Sequence, residues 1–311
     1  MHKIAIGSWA YTLGPYEANP TPFDTVMERV SSMGFDGLEL GAFGVHPGPA
    51  SHPTAEGRKA LVADMKRHGL AFAVYAPDLW SEHLADAEDG GAHYLESFQK
   101  HLDMASDLGV RAFRVDAIHP PSLLETMEKQ RAYANVVETW QKAAALCAER
   151  GLTFVWEFEP GFIFNRPSDI AGIVDDVGAA NFGLLFDTCH AHMVAAYGAK
   201  QTGRPRETLP GGALELARQL RGKIKAIHIG GSDGTLYKDH TSNHVPLGDG
   251  ELDIRPLIRE LSENGALNDN WWSIDLCFWP DAWNVSAGCL EYLRNLDTEI
   301  AGKETRNDAG K

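Results

Sequence analysis

Four segments of the chain end an apolar run on side chains that can bind a cation or move a proton: Val155-Trp156-Glu157-Phe158-Glu159, Leu185-Phe186-Asp187-Thr188-Cys189-His190, Ala226-Ile227-His228-Ile229 and Ser273-Ile274-Asp275-Leu276. A carboxylate buried at the end of such a run costs several kcal/mol unless it is paired or bound to metal. Taken singly, each acid reads most simply as an ion-pair partner or a helix cap, and His228 as a core histidine. Their succession asks for a common cause, and a shared divalent cation supplies one. Three carboxylates and a neutral imidazole make an oxygen-rich, borderline-hard donor set, suited to Mn2+ foremost, with Mg2+, Co2+ or Zn2+ as alternatives. No cysteine stands at a strand end with ligand spacing, which argues against a structural zinc site.

The elements that must bring these groups together are marked by glycine. At Met33-Gly34-Phe35, His68-Gly69-Leu70, Leu108-Gly109-Val110 and Arg150-Gly151-Leu152 an amphipathic stretch ends on Gly and a short apolar run follows. Glycine there supplies the left-handed position that closes a helix. Reading outward, strands fall near 3–8, 37–42, 71–77, 111–117, 152–159, 182–188, 224–230 and 271–278. Helices fall near 22–33, 54–68, 92–108, 131–150, 167–177, 213–221, 254–264 and 282–301, with start signals at Thr21-Pro22 and Arg166-Pro167-Ser168. Val136, Trp140, Ala144 and Cys147 form a helical stripe that reads as core. Eight β/α units predict an α/β fold, a single (β/α)8 TIM barrel over residues 1–302 with a flexible polar tail at 303–311. A doubly wound open sheet is the competing architecture, but no Gly-x-Gly-x-x-Gly follows the first strand. In a barrel the C-terminal strand ends share one mouth, so the four segments converge there. Residues 199–212, rich in Gly, Pro and charge, read as a loop insertion after the sixth strand.

Composition excludes several functions. The chain has 311 residues, 44% of them hydrophobic, and a formal net charge of −15. That charge, with no basic block to offset it, repels nucleic acid. Four cysteines without a Cys-x-x-Cys pair, together with an N-terminus lacking an apolar signal core, predict a reduced, cytoplasmic protein, and no apolar run is long enough for a membrane span.

The motifs then resemble a known family. Glu157 followed by Asn165, the Phe186-Asp187-x-x-His190 element, His228 with Asp233, the Pro246-Leu247-Gly248-Asp249-Gly250-Glu251-Leu252-Asp253 stretch and Asp275 resemble the xylose-isomerase-like superfamily, often called the sugar phosphate isomerase/epimerase family, from Ile4 to about Leu296. The resemblance implies one divalent metal held by Glu157, Asp187, His228 and Asp275, and a substrate contact from His190. It favours Glu157 over Glu159 as the ligand, because its separation from Asp187 is closer to the family's habit. It implies Glu157, Glu159 and Asp275 as catalytic acids and bases around a carbonyl, and barrels that can pair as homo-oligomers. The last-strand acid departs from the family's usual Glu: Asp275 is one methylene shorter, so it can hold metal without reaching a substrate carbon. Proton transfer could then be one-sided, which keeps two chemistries open. One is isomerisation or epimerisation of a sugar or keto-sugar; the other is a lyase or dehydratase reaction that cleaves a 3-keto-sugar or 3-keto-glycoside by β-elimination. An apurinic endonuclease is disfavoured by charge, and a non-catalytic sugar-binding barrel predicts no metal.

Gly230-Gly231-Ser232-Asp233-Gly234 carries an acid, and the loop after the eighth strand is aromatic, so a phosphate handle is not supported and an unphosphorylated sugar or glycoside is expected. Trp9, Trp80, Trp279 and Trp283 near strand ends offer surface for sugar faces. His46, Asp78, Arg114, Asp116, His119 and Lys238 are the other mouth candidates, with His119 and Lys238 read as substrate contacts and Arg114 as a partner of Asp116. His240 and His244 flank the loop before Gly248; hydrogen bonding within that loop is the simpler role, and a second metal the other.

Overall fold

The strands are β1 (Lys3–Gly7), β2 (Gly37–Gly41), β3 (Ala71–Ala76), β4 (Ala112–Asp116), β5 (Thr153–Glu157), β6 (Phe182–Asp187), β7 (Ile224–Ile229), β8 (Gly231–Tyr237), β9 (Thr241–Val245) and β10 (Trp271–Ile274). In this computed structural model, which describes residues 1–203, 205–263 and 271–308, eight of them close into a parallel barrel in the order β1-β10-β7-β6-β5-β4-β3-β2. The remaining two, β8 and β9, form an antiparallel hairpin. The helices are α1 (Phe23–Met33), α2 (Ala55–Arg67), α3 (Ala92–Leu108), α4 (Leu123–Thr126), α5 (Lys129–Glu149), α6 (Pro167–Val177), α7 (Thr188–Ala195), α8 (Gly212–Gln219), α9 (Ile254–Glu263) and α10 (Ala282–Asp308). This is the (β/α)8 barrel expected from the alternation of the sequence.

Strand periodicity explains how the barrel positions its polar groups. Side chains two apart on a strand share a face. Val74, Ala112, Val155, Leu185 and Ala226, one from each of β3 to β7, form their own buried cluster. Two residues further on, toward the mouth, the same face carries Arg114, Glu157, Asp187 and His228. Register fixes their neighbours: Asp116 pairs with Glu157, Asp187 with His228, and His228 with Ser273. An apolar layer thus plugs the barrel and a polar layer lies on top of it.

Helices seal the outside. On α5, Val136, Trp140, Ala144 and Cys147 are fully buried, as the stripe predicted, and Trp140 packs on Trp156 at 5.3 Å and Phe182 at 5.8 Å. The helix-ending glycines Gly34 and Gly109 have φ of +89° and +73°, a region closed to most side chains. Pro167 opens α6, where its fixed φ and missing N–H cost nothing.

Several expectations are corrected. β5 stops at Glu157, so Glu159 lies beyond the strand. The stretch from Gly231 to Val245, read as loop, is the β8–β9 hairpin. Its turn places Lys238 and Asp239 at φ +47° and +54°, conformations that usually call for Gly or Asn, and their absence hid the hairpin from the sequence. The segment after β6 turns at once into α7, because Asp187 caps it by accepting the His190 N–H at 2.7 Å. The backbone of α10 continues beyond residue 301 to Asp308. Asn264, the last residue of the expected seventh-unit helix, Arg204 in the 199–212 loop, and tail residues 309–311 lie outside the described residues.

Candidate metal centre

Glu157, Asp187, His228 and Asp275 each present a ligand atom such that the four atoms lie within 4.8 Å of one another. All four side chains are buried, with at most 3% of any residue exposed. His228 Nδ1 is 2.8 Å from Glu157 Oε1 and 3.5 Å from Asp275 Oδ2. Asp275 Oδ1 is fixed by the Trp9 indole N–H at 3.1 Å and the Cys277 backbone N–H at 2.6 Å. Asp187 Oδ1 caps α7, while its Oδ2 is buried with no hydrogen-bond partner. A buried carboxylate oxygen left without a donor is costly, and a cation at the centre of these atoms satisfies it. The donor set therefore fits a divalent metal.

Two features surround this cluster, one of them absent from the sequence reading and the other wider than it. Glu39 on β2, 1% exposed, holds His228 Nε2 at 2.8 Å and also accepts from the Ser273 hydroxyl. This fixes the His228 ring and directs Nδ1 at the cluster. Leu38-Glu39-Leu40 carried a usable signal, an acid inside an apolar strand. Arg114, expected to pair with Asp116, does so with two bonds of 3.1 Å, but it also reaches Glu157 Oε2 at 2.5 Å and lies 3.8 Å from Glu159 Oε1. Its guanidinium sits 5.1 Å from the Trp9 ring. The strand-end acids thus have an internal counter-charge as well.

The electrostatics follow from crowding. Burial, then Asp116 and Glu157, push the Glu159 carboxyl up to about 8. Burial also raises Glu157, against the pull of Arg114 and His228. For Asp187 burial opposes ionisation, but the His190 and His244 imidazoles outweigh it and hold the group below the usual carboxylate range. Asp275 is likewise lowered, with His244 and His228 overcoming burial. Burial drives His190 down to about 3, whereas His244 rises to about 9 because Asp275 and Asp187 outweigh burial.

A cavity of about 80 Å³ opens on the cluster. Glu157, Glu159, Asp275, His190 and His244 line its floor, and Trp9, Phe43, Trp80, Phe162 and Phe278 line its walls. Its volume matches only a few water molecules, so a sugar must displace wall side chains to enter. Trp80, 46% exposed, is the most exposed of the large apolar wall residues. Of the expected substrate contacts, the structure brings His190, Trp9 and Trp80 to this cavity. His119, Lys238 and Trp279 do not line it: His119 Nε2 is bound to Asp86 at 2.8 Å, Lys238 sits in the hairpin turn with Nζ 5.1 Å from the Tyr237 ring, and Trp279 packs against the outer core. Trp283 stacks on Tyr11 at 3.6 Å, also outside the cavity. His46 is held by Ser8 and the Thr21 carbonyl, and Asp78 faces a separate groove. His240 and His244 do line the cavity.

Comparison with known proteins agrees with this architecture. An uncharacterized protein of Methanocaldococcus jannaschii is 23% identical over 295 residues, which span 92% of this chain and 89% of that protein. An L-ribulose 3-epimerase superposes with a TM-score of 0.72 at 16% identity, covering 98% of this chain and 97% of its own. The IOLI protein, solved with a bound zinc atom, superposes with a TM-score of 0.69 at 16% identity over 97% of this chain and 98% of its own. At such identities the structural likenesses establish a shared fold. The family profile described as xylose isomerase-like TIM barrel matches residues 27–293, and the chain therefore belongs to the xylose isomerase-like TIM barrel family.

Proposed function

We propose that this protein is a divalent-metal-dependent isomerase or epimerase that acts on an unphosphorylated sugar or keto-sugar by taking a proton next to a carbonyl. The observation that carries the reading is the buried set of Glu157, Asp187, His228 and Asp275, with ligand atoms within 4.8 Å of one another, two of which, Glu157 and Asp275, line the mouth cavity. These four residues would hold the ion, Mn2+ foremost. When bound, it would polarise the substrate's carbonyl and adjacent hydroxyl oxygens.

The chain's own groups divide the remaining work. Glu159 lines the cavity and is not in the four-residue cluster; Thr241 donates to its Oε2 at 2.6 Å, orienting the carboxylate to take and return a proton. Asp275 is pinned by Trp9 and Cys277, which suits a ligand and not a mobile base. Proton transfer is accordingly one-sided, through Glu159, which suits moving a proton between neighbouring carbons as an isomerase does; epimerisation requires the deprotonated intermediate to present its other face to Glu159 before the proton returns. His190, its Nδ1 held by Ser242 Oγ at 2.8 Å, turns its other nitrogen to the cavity. The wall aromatics exclude water and offer apolar surface to the C–H face of a sugar. Among the described residues lining the cavity, Arg114 is the only Arg or Lys, and it is engaged by Asp116 and Glu157, which leaves no free Arg or Lys for a phosphate.

The test is incubation of metal-loaded protein with unphosphorylated keto-sugars and 3-keto-glycosides in D2O. Deuterium incorporated at a single carbon, without elimination, supports the proposal. An unsaturated product or a released aglycone instead assigns the lyase reaction. Absence of exchange across the panel by protein shown to contain metal refutes both.

A further inference from the structure

The walls of the mouth cavity suit something less polar than a bare sugar. Trp9, Leu13, Phe43, Trp80, Phe162 and Phe278 line them, from the segments that follow β1, β2, β3, β5 and β10. β1 and β5 stand opposite each other in the ring of eight strands, so Trp9 and Phe162 bring aromatic surface from two sides. Trp80 joins two of these segments, edge-on to Phe43 at 5.7 Å and to Phe162 at 6.4 Å, an arrangement that aromatic rings prefer. It nevertheless keeps 46% of its surface in water.

Phe278 is placed on the wall against the preference of its backbone. Its φ is +65°, a region that bulky side chains rarely adopt. The ring stacks on Tyr237 of the β8–β9 hairpin, with centroids 4.6 Å apart and planes within 3°. On another side lies Gly14, at φ +60°, where a Cβ would stand 2.6 Å from the Phe278 ring. Two unusual backbone conformations thus accommodate one wall ring, and strain of this kind gathers where a surface meets a ligand.

A sugar ring carries C–H groups on its faces and hydroxyls round its edge, and each enclosed hydroxyl needs a partner. Among the described wall residues, Thr241 already donates to Glu159 and the Trp9 indole N–H to Asp275. The side-chain groups left are the His240 ring, the Trp80 indole N–H and the weakly polar Cys277 thiol. The floor differs: Glu157, Glu159 and His190 offer charge and hydrogen bonds to the oxygens of one sugar unit. We infer that the substrate is an aryl glycoside, a keto-sugar unit on the floor carrying an aromatic aglycone that packs against Trp80 between Phe43 and Phe162. An aromatic ring is apolar on both faces and at its edge, so these walls enclose it without stranding a polar group.

This inference rests on the proposed function for the sugar unit, and equilibrium binding separates the two. Phenyl and methyl glucoside, in both anomers, share a sugar unit that lacks the ketone, so they bind without turning over. Isothermal titration calorimetry reads their affinities on the protein as purified and after Mn2+ loading. The phenyl glucoside of the matching anomer is expected to bind about tenfold tighter than the methyl glucoside, or more, in both preparations, because the walls carry the preference. Trp80→Ala and Phe162→Ala bring that ratio toward one, and Trp80→Phe keeps most of it. Circular dichroism shows which variants are folded, and either alanine variant alone suffices. Phenyl and methyl glucosides within about twofold of each other, a ratio unchanged in the folded alanine variants, or no binding of either glucoside overturns the aromatic site. Deuterium exchange into simple keto-sugars by a protein without the phenyl preference overturns this inference and leaves the proposed reaction standing. A phenyl preference without exchange into any keto-sugar does the reverse.

Discussion

Glu39→Gln tests whether the barrel holds its metal through a carboxylate that never touches it. The side chain lies between His228 Nε2, at 2.8 Å, and the Ser273 hydroxyl, in a position 1% exposed. Glutamine keeps the shape. Its carbonyl can still accept from His228, so the change reduces to a charge-assisted bond becoming a neutral one. Bonds to charged groups contribute about 1.5–3 kcal/mol and neutral ones about 0.5–1.5 kcal/mol, a difference of about 1–1.5 kcal/mol. At 1.4 kcal/mol per decade this weakens metal binding about fivefold to tenfold. Glu39→Ala also strands the His228 N–H and the Ser273 hydroxyl, and belongs near the hundredfold end of the range for groups that orient ligands. Competition with a chelator of known affinity at neutral pH, on variants whose thermal unfolding remains cooperative, measures both. If Glu39→Gln binds metal as tightly as the wild type and Glu39→Ala does no worse, the His228 ring is held by the barrel wall and the argument from Glu39 fails.

Other consequences can be checked separately. Asp187→Asn removes a charge shared by the cluster and should weaken metal binding at least a hundredfold by the same competition assay. Glu159→Gln should retain metal while lowering solvent deuterium exchange by about 10²–10⁴-fold; equal loss of metal would make Glu159 a ligand and not a base. Trp140→Ala, emptying the centre of the helix–sheet core, should cost about 3–5 kcal/mol in denaturant unfolding. Burial holds His46 and His101 down to about 4, below the ordinary 6.5. The unfolded chain therefore takes up protons first as pH falls: this part of the stability is complete above pH 6.5 and is lost between pH 6.5 and about 4. Each group contributes at most about 3 kcal/mol, and unfolding midpoints across that range should flatten when both are replaced by Gln.

What was legible in the sequence is what a local period can encode. Gly34, Gly69, Gly109 and Gly151 each end a helix with φ between +68° and +89°, and the α5 stripe is buried at each of the four positions expected. The strand-end groups of β5 to β7 could be found for the same reason, since alternation places Glu157 two residues above Val155, Asp187 above Leu185 and His228 above Ala226. What stayed hidden depends on contacts distant in sequence. Glu39 meets His228 across 189 positions, and nothing local to Leu38-Glu39-Leu40 announces its partner. The hairpin turn holds Lys238 and Asp239 where glycine or asparagine is usual, so nothing local marks its strands or the burial of His244. His119 and Lys238 lie close in sequence to strand ends, but Asp86 holds the first and the second lies at a hairpin tip.

The hairpin changes how the site should be understood. Without it, the polar layer would be a ring of strand-end side chains open to water, and its acids could remain charged by hydration alone. β8 and β9 cover one side of that ring, bringing Thr241 to Glu159, Ser242 to His190 and His244 to Asp187. Cover excludes water, which strengthens every interaction inside and raises the cost of each charge left unbalanced. The feature that makes the mouth suitable for proton abstraction is therefore also the one that raises the cost of leaving Glu157, Asp187, His228 and Asp275 without a cation. A shortened hairpin should thus relax the demand for metal as it abolishes the chemistry, coupling two properties that a ring of acids on the barrel alone would keep separate.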